Sequence, residues 1–193
     1  MRSLTSPSEL FNGTMATHGA MALIAVSLLW WIEGVEFFVV TSFSGLIKSM
    51  ALGTVAGILV QAVQLFLKMI SSSLQRLSHF LAIQFEGWTI KEIFFVALIS
   101  SISEELLFRA LLQPFLGLWI TSAIFGLAHW TGQKGLRIWI FLAFLGGLFL
   151  GYLAEHPLFG LSGCIAAHFA INLTSLWILT RSRVNVDPSS LHC

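Results

Sequence analysis

The chain predicts an all-α fold, a polytopic transmembrane helix bundle of about six spans with both termini on the cytoplasmic side. Three observations carry that expectation. Of 193 residues, 56% are hydrophobic and only 10% charged, and the mean hydropathy is +0.87, whereas a soluble domain carries roughly a quarter charged residues. The apolar residues fall into runs long enough to cross the ~30 Å hydrocarbon core of a bilayer. The basic residues gather in alternate connectors, the asymmetry that orients membrane proteins.

The elements follow in order. The first fifteen residues are polar, with Arg2 and no compact apolar core, so they do not resemble a cleaved secretory signal and the first apolar run is kept as a span. That run covers 17–39, and five more cover 46–67, 92–112, 115–131, 137–154 and 158–179. Each is expected to be helical, because hydrocarbon offers backbone groups no other partner than the helix itself. Between the second and third, Ser71 to Trp88 interleaves Arg76, His79 and Glu86 with Leu and Phe, the pattern of an amphipathic connector lying in the interface. The layout is then two N-terminal packing spans in 1–70, a connector in 71–91, a membrane core in 92–180 and a cytoplasmic tail in 181–193.

Six spans place Arg2, Lys68, Arg76, Lys91, Lys134, Arg137, Arg181 and Arg183 on one side and only Lys48 on the other, which puts both termini in the cytoplasm. Trp30, Trp31, Trp119, Trp130 and Trp177 sit near span ends, as interfacial tryptophans do. Gly53-x-x-x-Gly57 and Gly147-x-x-x-Gly151 give two spans a smooth face for close packing. The scattered charges, net +1, form no basic face, so no nucleic-acid partner is expected; the bilayer is the partner that composition demands. The two cysteines, Cys164 and Cys193, cannot build a disulfide framework and are taken as incidental.

The chemistry concentrates in the core. Glu104, Glu105 and Arg109 lie in the apolar stretch from Ile93 to Leu112, where each ionised group costs about 2.5–3.5 kcal/mol to insert. Glu105 and Arg109 are four residues apart with the acid first, the favourable arrangement for an ion pair on one helix face. Glu104 points about 100° away and needs a partner from another helix or from water, which makes it the reactive candidate, a general base acting on water. Two later spans add Phe125 with His129 and His168 with Asn172, each pair one helical turn apart. Together three helices supply a carboxylate pair, two imidazoles and an amide, the equipment for activating water and stabilising an oxyanion.

The order Glu-Glu-x-x-x-Arg, Phe-x-x-x-His, His-x-x-x-Asn resembles the CPBP family of CAAX proteases and bacteriocin-processing enzymes, over roughly residues 90 to 180. The resemblance implies an intramembrane endopeptidase acting on a membrane-associated protein or peptide: a CAAX-type tail, a peptide precursor or a C-terminal sorting signal. It implies catalytic roles for Glu104 with His129 on the water, for His168 and Asn172 on the oxyanion, and a bracing role for Glu105, Arg109 and Phe125. No cofactor is assumed; a zinc form of the same chemistry would take Glu104, His129 and His168 as ligands, with Glu105 as base. The implied location is the inner (plasma) membrane, with the site reached from the cytoplasm.

Two alternatives stay open from sequence: a non-catalytic adaptor or immunity protein of the same fold, and a small transporter using the buried charges as a proton relay. A geometric tension is also visible. Upright spans put Glu104 about 18–20 Å below the cytoplasmic face and His129 close to it, so tilt, shifted boundaries or extra helix within Thr131 to Leu136 must reconcile them. Glu33 and Glu36 read as interfacial, and His18, His79, His156 and His192 as solvated residues outside the site.

Overall fold

The computed structural model describes residues 6–38, 42–132 and 136–181. Arg2, Lys134, Arg183, His192 and Cys193, and the middle of the Thr131 to Leu136 connector, lie outside them. Among the described residues seven α-helices run in the order α1 Pro7–Glu33, α2 Phe43–Ile70, α3 Ser72–Gln84, α4 Ile90–Glu105, α5 Gln113–Ala128, α6 Arg137–Glu155 and α7 Gly160–Arg181, with a π-helical stretch, Leu106–Leu112, joining α4 to α5. Five helical stretches are long and apolar enough to cross a membrane, and the protein is an integral membrane protein. Each of the six expected runs lies largely within helix, the third and fourth joined in one stretch, Ile90–Ala128.

Helix starts follow their caps. The Ser6 hydroxyl accepts from Glu9 N–H while the Glu9 carboxylate accepts from Ser6 N–H, a capping box with Pro7 at the first helical position. This explains why α1 begins ten residues before the expected boundary at 17: polar first-turn residues were read as pre-span, although they belong to the helix. Thr89 and Glu92 form the same box at α4, while Ser42 and Ser71 cap α2 and α3. Ser71 also ends α2, so the expected connector becomes α3, with Leu77 and Ala82 buried.

Glycines set the closest helix contacts. A Cβ on Gly53 would collide with the Gly163 carbonyl, and one on Gly57 with the Ala167 carbonyl, so α2 and α7 pack with their backbones nearly touching. On α6, a Cβ on Gly147 would meet Ser122 Cβ at 3.1 Å, and one on Gly151 would meet the Gln113 amide oxygen at 2.6 Å. Both small-residue motifs are therefore packing surfaces, α2 against α7 and α6 against α5.

Gly117 resolves the depth tension. It has φ 75°, open only to glycine at low cost, and the chain doubles back there: Phe108 and Phe125 meet edge to face with centroids 5.0 Å apart. Helix continues from Ile90 to Leu116 before the reversal, several residues past the expected end at 112. Glu104 and His129 then stand almost equally far from the turn along antiparallel arms. The expected boundary was the error, and the helices need no extreme tilt.

α1 runs alongside α4. Leu10 and Phe11 pack on the Trp88 and Ile93 cluster at one end, and Ala25 and Leu29 on Leu106 and Leu111 further along. Leu173 packs against that first cluster as well, so the start of α1, the start of α4 and the end of α7 share one end of the bundle. Large apolar side chains such as Leu23, Phe66, Met69, Phe115 and Trp119 remain on the outer surface, where lipid replaces a protein core.

Gly57→Leu must force α2 off α7 and should lower the thermal midpoint in detergent by more than ordinary overpacking, itself about 1–3 kcal/mol. Gly146→Ala, whose Cβ meets nothing within 4 Å, should leave the midpoint unchanged or raise it.

Candidate active site

Glu105 is the centre of the polar interior. It is fully buried and its carboxylate gathers three partners: Arg109 Nε donates to Oε2 at 2.9 Å, His168 Nδ1 lies 2.6 Å from Oε1, and Cys164 Sγ lies 3.0 Å from Oε2. A buried carboxylate is tolerated only with such compensation. The guanidinium continues the chain. Arg109 Nη1 donates to Gln113 Oε1 at 3.3 Å, and Gln113 Nε2 donates to the Gly151 carbonyl at 3.1 Å and to Glu155 Oε1 at 2.7 Å. Arg109 also lies over the Phe125 ring, 5.1 Å from its centroid, a cation–π contact that keeps the planar group in place.

Local helix geometry aligns these groups. Glu105, Arg109 and Gln113 are spaced i, i+4, i+8 across the π-helical stretch, whose wider turns are a frequent feature of functional sites. Cys164, His168 and Asn172 repeat the spacing on α7. The two series meet at Glu105, which Cys164 and His168 both contact.

Glu104 is in a different situation. It is 9% exposed, and its Oε2 is buried with no hydrogen-bond partner. Oε2 lies 3.8 Å from His168 Nε2 and Oε1 lies 3.8 Å from His18 Nδ1. These separations are too long for direct hydrogen bonds and suit a bridging water. Because an ionised carboxylate only accepts, the Glu105 contact places a proton on His168 Nδ1 and turns Nε2 toward Glu104.

His129, at the C-terminus of α5, holds its Nδ1 2.8 Å from the Phe125 carbonyl, which fixes the same tautomer by the same argument. Its ring stacks near Phe125 at 4.7 Å and Trp139 at 5.8 Å, and Phe125 also touches His168 at 6.1 Å. Asn172 Nδ2 donates to Ser100 Oγ at 3.0 Å, which leaves its second amide hydrogen uncommitted to that bond. The structure thus gathers Glu104, Glu105, Arg109, Phe125, His129 and His168 around one interior, with Asn172 one turn along α7. The expected partner of Glu104 differs: the imidazoles at 3.8 Å are those of His18 and His168. Among the described residues, no group of three or more His, Cys, Asp or Glu side chains is arranged to hold a metal ion, Glu104, His129 and His168 included.

Two expectations are corrected. His18 is not a solvated terminal residue: it lies on α1, half-buried, with Nδ1 3.0 Å from Ser103 Oγ. Cys164 is not incidental, since its thiol meets the Glu105 carboxylate. Gln113 and Glu155 were also overlooked. The signals existed: Gln113 extends the Glu105–Arg109 spacing by one turn, Cys164 precedes His168 by one turn, and Phe11, His18 and Ala25 recur every seven residues, which puts His18 on the packed seam of α1.

Architecture and site together define a polytopic helical membrane protein with a buried Glu-His-Arg centre. Residues 86–174 match the profile of the Rce1-like family, type II CAAX prenyl endopeptidase Rce1-like. The matched stretch contains all three motifs, so this core is similar to that of CPBP-type, CAAX-protease-like membrane proteins, a family of proteases. Neither a curated protein nor a solved structure matches the chain.

Arg109→Met would strip the Glu105 carboxylate of its only cationic arginine partner and should cost about 3–5 kcal/mol. Gln113→Leu, which removes the hydrogen bonds to Arg109, Gly151 and Glu155 but leaves the Glu105–Arg109 pair in place, should cost about 1–3 kcal/mol. Thermal unfolding in detergent measures both.

Proposed function

We propose that this chain is an intramembrane endopeptidase that hydrolyses a peptide bond in a membrane-associated protein or peptide, of the CAAX-tail, precursor or sorting-signal type. The observation that carries the reading is the contrast between adjacent carboxylates: Glu105 has every partner a buried charge needs, while Glu104 Oε2 is buried and unpartnered beside an imidazole. A fully paired acid is a brace. An unpartnered one beside an imidazole has capacity to take a proton.

In the proposed reaction Glu104, assisted by His129, removes a proton from a water near Oε2, and the water oxygen attacks the scissile carbonyl carbon. The oxyanion receives hydrogen bonds from His168 Nε2–H and from the free amide hydrogen of Asn172. Glu105 favours the protonated His168 ring, as a buried carboxylate does for the histidine of a serine protease. Glu104 then returns its proton to the leaving amine as the C–N bond breaks. The proposed route uses no metal.

The proposed location is the inner (plasma) membrane, with both termini and the site entrance facing the cytoplasm. Lys68, Arg76, Lys91 and Arg181 border the end of the bundle where α1 begins and α7 finishes, whereas Glu33, Glu36 and Glu155 lie toward the other. That asymmetry fits the positive-inside rule.

Glu104→Ala and His168→Ala should each lower cleavage of a membrane-anchored reporter by at least about 10²-fold, with membrane-inserted protein still present for Glu104→Ala. Cleavage should persist after chelator treatment. Full cleavage by Glu104→Ala would contradict the base assignment, and chelator loss restored by zinc would contradict the metal-free route.

A further inference from the structure

We infer that His18, on a helix outside the segment that matches the protease family, is a positioning residue for Glu104. The inference rests on the reading of Glu104 as the base.

Packing fixes the register of α1 on both sides of His18. Phe11 is held against the Trp88 and Ile93 cluster, Ala25 and Leu29 against Leu106 and Leu111, and His18 falls midway, seven residues from Phe11 and from Ala25. It is carried on the same seam, where an apolar side chain would pack most cheaply. A half-buried imidazole there needs a polar partner, and it has one: Nδ1 is 3.0 Å from Ser103 Oγ. The Ser103 hydroxyl hydrogen is committed to the Ser100 carbonyl at 3.1 Å, so Ser103 Oγ accepts and His18 Nδ1 carries the proton. That N–H is also 3.8 Å from Glu104 Oε1.

The Glu104 carboxylate therefore stands between two rings, with Oε1 toward His18 and Oε2 toward His168. A carboxylate with a polar wall on one side only would be free to rotate both oxygens away from His168. The His18 N–H, donated to Ser103 and facing Oε1 across one water, defines which oxygen faces the reacting water. His168 and His129 lie within electrostatic range of the same ring, so α1 closes a site otherwise built from α4, α5 and α7.

The test uses His18→Leu, which keeps bulk and removes the donor, and His18→Asn, whose amide nitrogen reproduces a donor near the Nδ1 position. His18→Leu should lower kcat about 10- to 100-fold with KM changed by less than about threefold, a loss in the chemical step and not in binding, and His18→Asn should recover most of it. Infrared difference spectroscopy gives a readout independent of cleavage: the carboxyl band that disappears in Glu104→Gln should shift in His18→Leu and return toward its wild-type position in His18→Asn. If Glu104→Gln retains full cleavage, the base reading fails, and the band shift still decides whether His18 positions that carboxylate. Wild-type kcat together with an unmoved band in His18→Leu would overturn the inference.

Discussion

A carboxylate sealed inside a membrane-spanning bundle survives only if its surroundings replace the water it lost. At Glu105 that replacement comes from three directions at once: the arginine one turn along the same helix, and a histidine and a cysteine from α7. Much else follows from this one group. Arg109 must be steered by Gln113 and Phe125, Gln113 needs a glycine opposite it on α6, and α7 must approach closely enough for His168 to reach across, which the contact of α2 with α7 at Gly53 and Gly57 secures from behind. Small residues and buried charges are thus two halves of one design, the first bringing helices together and the second giving them something to hold.

The same arrangement separates adjacent glutamates into different tasks. Glu105 and Glu104 differ by one position and about 100° of helix rotation, yet one is saturated with partners and the other has an empty oxygen facing His168 Nε2. Because Glu105 fixes the protonation of His168 Nδ1, it also determines what Nε2 offers to Glu104. The structural acid tunes the site of the reactive one.

Much of this was legible in the sequence. Composition and run length gave a membrane bundle, and the four-residue spacing of Glu105 and Arg109 gave their ion pair directly, since both lie on one helix. What spacing could not give was partners across helices. The contact of His18 with Ser103 joins residues 85 apart, and the first turns of α1 were placed outside the span because their residues are polar. The boundary near Gly117 was misplaced for a related reason: a lone glycine in an apolar run carries no mark of its φ, although that angle sets His129 level with Glu104. Cys164 passed as a small apolar residue, as buried cysteines usually do, because its carboxylate partner lies 59 positions away.

The central claim is that two neighbouring acids divide structure from chemistry, and the sharpest measurement compares the thermal unfolding midpoints of Glu105→Gln and Glu104→Gln in the same detergent. The account predicts a drop for Glu105→Gln, since Arg109 then loses its counter-charge in a dry interior at a cost of about 3–5 kcal/mol, and a midpoint for Glu104→Gln at or above the wild-type value. Equal losses in the two variants, or a larger loss for Glu104→Gln, would contradict it.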